Sequence, residues 1–340
     1  MRGLMARDPA GFVRSCFPDL EGAEPAGWPR RLTNSHIWWW HAKGGQRFLV
    51  KWRPGGVVGP VGLKTSHQAA DHLRRTGLPV PLALAGRDGK PWVLQQQLLV
   101  EAWLAGEGTD TYADRDPFDP LVHPHHAHAI GAFLGRARHH APACTGHRPT
   151  AEPGVWADTA WLDGAAPEAG PLVAPRPFQR AAWTASLPIL QRLLNEHPWP
   201  KGPPEWHHGD PLPRNMLFRN LKVSGLFDFE GWTTAPRAFD LALATAALAF
   251  PWPRLAAGAP ARPEVARLLR GGWASSVDLP EWSEQLPLII FGRVGSAFRR
   301  AGALADVGLM AEAHRFLEGM LTVLRWWEGP EGRSWRGREP

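Results

Sequence analysis

EWHHGDPLPRNMLFRNLKVSGLFDFEGW, residues 205–232, decides how the rest of the chain is read. It holds His208, Gly209 and Asp210, then Asn215, then Asp228. Two short apolar runs, Asn215 to Phe218 and Val223 to Phe227, flank Arg219 to Lys222, so the pattern predicts two strands joined by a turn. Asp210 and Asn215 then lie on a loop before one strand, and Asp228 just after the next. Phosphoryl transfer asks for such a set. One carboxylate accepts or orients the proton of the acceptor hydroxyl, while an amide oxygen and a second carboxylate hold Mg²⁺ against nucleotide phosphates. Asp-x4-Asn alone arises often by chance. H-G-D-x4-N followed eighteen residues after its Asp by a second Asp at a strand end is far more specific.

Upstream of this stretch the patterning is that of strands. SHIWWWHA (35–42) and QRFLVKW (46–52) read as a β-hairpin around Lys43 to Gly45, with the faces of Trp38, Trp39 and Trp40 alternating. KTSHQAADHLRRT (64–76) reads as a helix stopped by Gly77 and Pro79. LALAG and PWVLQQQLLVE read as a second hairpin joined by Arg87-Asp88-Gly89. Asp8 and Pro9 open a short helix over 8–17. Beyond about Leu104 the period changes from two to 3.6, with helices expected near 123–140, 178–196, 238–250, 263–275, 282–302 and 309–327. Residues 141–177 are rich in Pro and Gly and read as irregular. The expected division is an N-terminal extension (1–24), a small antiparallel sheet with one helix (25–104) and a mainly helical remainder (105–340).

Composition closes other doors. The 340 residues are 44% hydrophobic and 21% charged, which is globular and not disordered. The longest strongly apolar stretch, Leu241 to Phe250, is half of the ~20 residues a membrane span needs, so no membrane partner is expected. MRGLMARDPAGF has no apolar h-region, so no secretory leader is expected, and Cys16 and Cys144 make no disulfide framework; both point to the cytoplasm. Six of the 38 basic residues are lysine and the net charge is +6, but no block of like charges occurs, so no nucleic-acid partner is expected. His123, His125, His126 and His128 have helical spacing, but no Cys or acid nearby completes a metal shell.

HGDPLPRN (208–215), LFDFE (226–230) and AFDLA (238–242) together resemble the aminoglycoside phosphotransferase and choline/thiamine kinase superfamily, small-molecule relatives of the protein kinases. The resemblance covers about Arg31 to Trp327. It implies an α+β, protein-kinase-like two-lobed fold, with a small antiparallel β-sheet N-lobe and a mainly helical C-lobe. It implies ATP and Mg²⁺ as cofactors and a small-molecule hydroxyl as acceptor, in a monomer or dimer. Asp210 becomes the catalytic base, Asn215 and Asp228 the Mg²⁺ ligands, and Asp240 a buried brace of the catalytic loop. LTNS (32–35) resembles the turn over the phosphates and brings in Asn34 and Ser35. FLVKW (48–52) resembles the strand whose lysine, Lys51, contacts the α/β-phosphates. LVEAWLAGE (99–107) resembles the adenine-binding hinge and brings in Glu101 and Trp103.

Two departures bear on function. Family members usually offer a helix Glu to the strand lysine, and residues 64–76 contain none; His67, Gln68 and Asp71 are the stand-ins available. Leu212 and Arg214 stand where the family has His and Gly. The main reading is therefore an ATP-dependent phosphotransferase, and the rival is a catalytically weak nucleotide-binding pseudokinase with an interaction role. The acceptor stays open: a choline- or thiamine-like cation caged by aromatic rings, a sugar, homoserine or an aminoglycoside.

Overall fold

The computed structural model describes residues 8–31, 35–54, 60–95, 97–115, 119–141, 176–200, 205–251, 255, 257–306 and 308–337. Asn34, the rest of the LTNS turn before Ser35, and nearly all of the irregular 141–177 segment lie outside them. The chain forms two compact units, Met1–Thr109 with Ser224–Glu230, and Asp110–Val223 with Gly231–Pro340.

The first unit begins with helix α1 (Pro9–Cys16), capped by Asp8, whose Oδ1 accepts the Gly11 N–H at 2.8 Å. This cap and Pro9 at the first helical position fix the start of the helix. Its buried face, Phe12, Val13 and Cys16, packs into one cluster with Trp38, Trp40, Phe48 and Val100. The segment set apart in the sequence as an extension therefore supplies part of the sheet's own core.

Seven strands follow: β1 (Ala23–Pro25), β2 (Arg30–Arg31), β3 (His36–Ala42), β4 (Arg47–Pro54), β5 (Leu82–Ala83), β6 (Val93–Gln95) and β7 (Leu98–Ala105). They pair antiparallel in the order β1-β3-β4-β7-β5, with β2 also on β3 and β6 also on β7. The β3–β4 hairpin turns at Gly45 (φ +79) as expected. Trp38 and Trp40 point into the core, and Trp39, on the other face, carries the Arg47 guanidinium 4.6 Å above its ring.

The second expected hairpin is rearranged. LALAG does not pair with PWVLQ; both β5 and β6 pair with β7. PWVLQQQLLVE is two strands, broken where Gln97 takes φ +63. A glutamine in the left-handed region carries no turn signature, because turn signals rest on Gly, Asn, Asp and Pro. Helix α2 (Pro60–Arg75) ends at Gly77 (φ +86).

The second unit contains helices α3 (His125–His140), α4 (Arg180–Glu196), α5 (Phe239–Leu248), α6 (Pro263–Ala274), α7 (Trp282–Asp306), α8 (Met310–Glu328) and α9 (Pro330–Arg336). Helices α3 and α6 approach at backbone distance. A Cβ on Gly131 would lie 2.0 Å from the Leu269 carbonyl oxygen, and one on Gly272 would lie 2.0 Å from that of His128. Phe250 gathers Trp282, Trp326, Trp327 and Trp335 around it, each ring centroid within 6.4 Å of its own. Much of the tryptophan excess is thus packing. Short strands β8 (Glu205–His207) and β11 (Thr233–Ala235) pair antiparallel. Strands β9 (Met216–Arg219) and β10 (Lys222–Leu226) form the ribbon expected from the sequence, turning at Asn220 and Leu221 with φ +47 and +58.

Candidate active site

In the second unit the loop after β8 carries His208, Gly209, Asp210 and, through a 3₁₀ turn at Pro213–Asn215, Asn215. Asn215 Nδ2 donates to the Asp210 backbone oxygen (2.8 Å) and to Asp210 Oδ2 (2.9 Å). An amide whose nitrogen is engaged in this way presents its Oδ1 as an acceptor. Asp210 is partly open, its side chain 36% exposed, and Arg214 reaches its Oδ2 at 3.3 Å.

Two features fix the loop. Gly209 has φ +80, and a Cβ there would lie 1.9 Å from the Gly231 carbonyl oxygen, so no larger residue fits without moving the backbone. Gly209→Ala is expected to cost more than the ~1–2 kcal/mol of left-handed strain alone, read as a lowered unfolding midpoint. Asp240, in the first turn of α5, is buried, as the sequence reading expected. Its Oδ2 accepts the His208 N–H (2.8 Å) and its Oδ1 the Gly209 N–H (2.9 Å).

Burial by itself would raise the Asp240 carboxyl. The His207 ring beside it, His208 and the Gly209 N–H outweigh that and hold it below the ordinary carboxylate range. His207 Nδ1 is 3.5 Å from Oδ2, too long for a strong bond, so the two loop N–H groups are the main anchors. A depressed folded-state value stabilises the fold above the unfolded value, near ~4, and the contribution disappears as pH falls below it. Asp240→Ala should therefore cost about 1–3 kcal/mol at neutral pH through its orphaned donors. Melts taken from pH 7 to 3 should show that the deficit relative to wild type narrows on the acid side.

In the first unit, Asp228 follows β10 with φ +64, an uncommon conformation for a non-glycine residue and one that collects at functional sites. Lys51 Nζ pairs with Asp228 Oδ1 at 2.9 Å and also with Glu230 Oε1. Lys51 and Arg53 share one face of β4, and Arg53 pairs with Glu230 and, at 2.9 Å, with Glu101. Glu101 faces Lys51 across the β4–β7 ladder and accepts from His67 of α2 at 2.8 Å. Burial alone would raise the Glu101 carboxyl; the His67 hydrogen bond and the charges of Arg53, His67 and Lys51 outweigh it and leave it lowered.

Of the stand-ins weighed for the helix Glu, Asp71 is taken by Arg74 and Arg75, and His67 meets Glu101 rather than Lys51. Glu101 and Trp103, which the resemblance puts at the hinge, sit among other side chains of the sheet unit. Both lie inside β7, which runs on to Ala105 with ladders on both sides. The Ala102 carbonyl between them accepts the Leu84 N–H at 2.8 Å, and the Glu101 carboxylate is held by Arg53 and His67. Trp103 stacks on His67, centroids 6.1 Å apart. Ser35 is buried at the start of β3. Arg53 and Glu230 were missed. The signal was present: two cations spaced i, i+2 on a strand in an apolar run require buried acids facing them.

The histidine run has an internal use. His126 Nδ1 and the Tyr112 hydroxyl lie 2.7 Å apart, and burial, then His123, pull its imidazole below the usual value. Among the described residues no group of three or more His, Cys, Asp or Glu gathers to hold a metal. A carboxylate, as on Asp228, and an amide oxygen, as on Asn215, are each hard donors of the kind a divalent cation takes.

This is protein-kinase-like architecture, an antiparallel sheet followed by a mostly helical remainder. The chain belongs to the phosphotransferase enzyme family, whose model matches residues 31–276. That membership makes it a phosphotransferase of small molecules. Similar solved structures include an amicoumacin kinase in complex with AMP-PNP, Ca²⁺ and its ligand (12% identity, 94% of this chain and 93% of that one, TM-score 0.61). A microcompartment-associated aminopropanol kinase is 14% identical over 92% of this chain and 94% of that one, with TM-score 0.62. A spectinomycin phosphotransferase in complex with ADP and spectinomycin is 9% identical over 94% and 97%, with TM-score 0.57. At these identities the likeness is one of fold. No curated protein matches the chain.

Proposed function

We propose that the protein transfers the γ-phosphoryl group of ATP to a hydroxyl of a small molecule in the cytoplasm. The observation that carries this reading is the Asp210–Asn215 pair on a loop anchored through Asp240. Asp210 accepts the proton of the acceptor hydroxyl as phosphoryl transfer proceeds. Lys51 contacts the α/β-phosphates, and Asn34 and Ser35 are the further nucleotide contacts that the resemblance implies. Asn215 Oδ1 and Asp228 would hold Mg²⁺, which when bound neutralises charge on the phosphates. Asp240 keeps the Asp210 loop in register without touching substrate.

A coupled ADP-release assay with ATP and Mg²⁺ tests the reading. Its acceptor panel should span choline, thiamine, homoserine, sugars, aminoglycosides and small amino alcohols. Small amino alcohols join the panel because an aminopropanol kinase is among the similar structures. ATP binding with no turnover across the panel would favour the pseudokinase. Asp228→Asn is the sharper variant for the metal, because Asn tolerates φ > 0 while losing the charge. It should abolish measurable turnover in a protein that still melts cooperatively, with a lower midpoint because the buried Lys51 loses one of its two carboxylates. Turnover that persists at ordinary Mg²⁺ concentration would remove Asp228 from the metal site.

A further inference from the structure

A strand lysine that steadies nucleotide phosphates has to be held at a fixed point, and α2 presents no Glu to hold it. The side chains around Lys51 supply another arrangement. β4 places Lys51 and Arg53, both buried, on one face of the sheet. The Arg53 side chain is fully enclosed and bridges two carboxylates, pairing through one terminal nitrogen with Glu101 Oε2 and through the other with Glu230 Oε1. Glu230 Oε1 also takes Lys51 Nζ. Glu101 in turn is bound by His67, so the chain of contacts runs from α2 through β7 and β4 to the turn after Asp228.

We propose that Glu230 and Arg53 are the positioning residues for Lys51: Glu230 clamps the ammonium and Arg53 clamps Glu230. The inference rests on the phosphotransferase reading and names how that site is kept in order. Its physical basis is a division of labour between two carboxylates. Asp228 Oδ1 also touches Lys51, at 2.9 Å, and it is the group assigned to the metal. A lysine held by Asp228 alone would lose its partner when that carboxylate turned to a cation. Glu230 remains, because Arg53 holds the same oxygen, Oε1, that takes Lys51. The planar, permanently charged guanidinium can grip two carboxylates at once in a way a lysine ammonium cannot reproduce.

The test measures ATP affinity by calorimetry on the full chain, in EDTA and in Mg²⁺. It compares Glu230→Gln, Arg53→Lys, Lys51→Met, and each of the first two combined with Lys51→Met. Glu230→Gln and Arg53→Lys should each weaken ATP binding roughly tenfold, the loss of about one charge-assisted contact, in EDTA as well as in Mg²⁺. In the Lys51→Met background neither should weaken it further, because both act through Lys51. Losses that persist undiminished in that background overturn the proposal, since they would reflect a general weakening of the sheet. A loss confined to Mg²⁺ and restored by excess Mg²⁺ overturns it too, and makes Glu230 a metal ligand. Wild-type affinity in both single variants overturns it while leaving the phosphotransferase reading in place. Failure of the wild-type protein to bind ATP would remove that reading first.

Discussion

Asp210→Asn lowers turnover by roughly 10²–10⁴-fold, the range expected when a general base is lost, and leaves the melting temperature close to wild type. The substitution keeps the size and planar shape of the side chain. Asn215 Nδ2 still finds the backbone oxygen of residue 210, and the loop anchors at His208 and Gly209 belong to Asp240. The side chain is partly exposed, so little buried charge is disturbed. ADP release and a thermal melt on the same preparation check both halves. A variant that melts early, or turns over at the wild-type rate, would show that Asp210 supports the loop rather than the reaction. Asp240→Ala should show the reverse order of effects, stability first and activity only as a consequence.

The second large effect is on folding. Glu101→Ala should cost about 3–5 kcal/mol, because it leaves the enclosed Arg53 guanidinium short of one of its two carboxylates. Urea unfolding gives the figure directly. The control is Glu101→Ala combined with Arg53→Met. Removing both members of a buried pair costs far less than removing one, so the double variant should recover a good part of the loss. If the double variant were as unstable as the sum of the singles, the two groups would not be coupled and the network would not be a unit.

The parts of the molecule that were legible in the sequence are those in which local chemistry agrees with the tertiary structure. The Asp8-Pro9 start of α1, the Gly45 hairpin and the Gly77 helix stop carry their own signals. Asp210, Asn215 and Asp228 stood out because their spacing is rare, although their roles await the experiments above. The Asp240 brace was legible through the resemblance carried by AFDLA, and the neighbouring loop supplies its donors. What the sequence hid depends on pairing at a distance. Nothing local marks Gln97 as a turn. Nothing local tells that Glu101 faces Lys51 across a ladder, that β7 continues to Ala105, or that Lys51 meets a carboxylate 179 residues further on. The helix Glu was sought on α2 because resemblance put it there; the structure sets against Lys51 a carboxylate from the turn that follows Asp228.

That separation matters while the protein is being made. The sheet unit is discontinuous, and Ser224–Glu230 rejoins it only after the chain has left at Thr109. At ~5–20 residues per second a ribosome needs roughly 10–35 s to travel from Lys51 to Glu230. Through that interval Lys51 and Arg53 lack Glu230, and Glu101 itself is made 50 residues after Lys51. The full set of ion pairs around Lys51 and Arg53 can form only when the second segment has emerged. A fragment ending near Thr109 would lack Ser224–Glu230, and with it both Asp228 and Glu230, the carboxylates that meet Lys51.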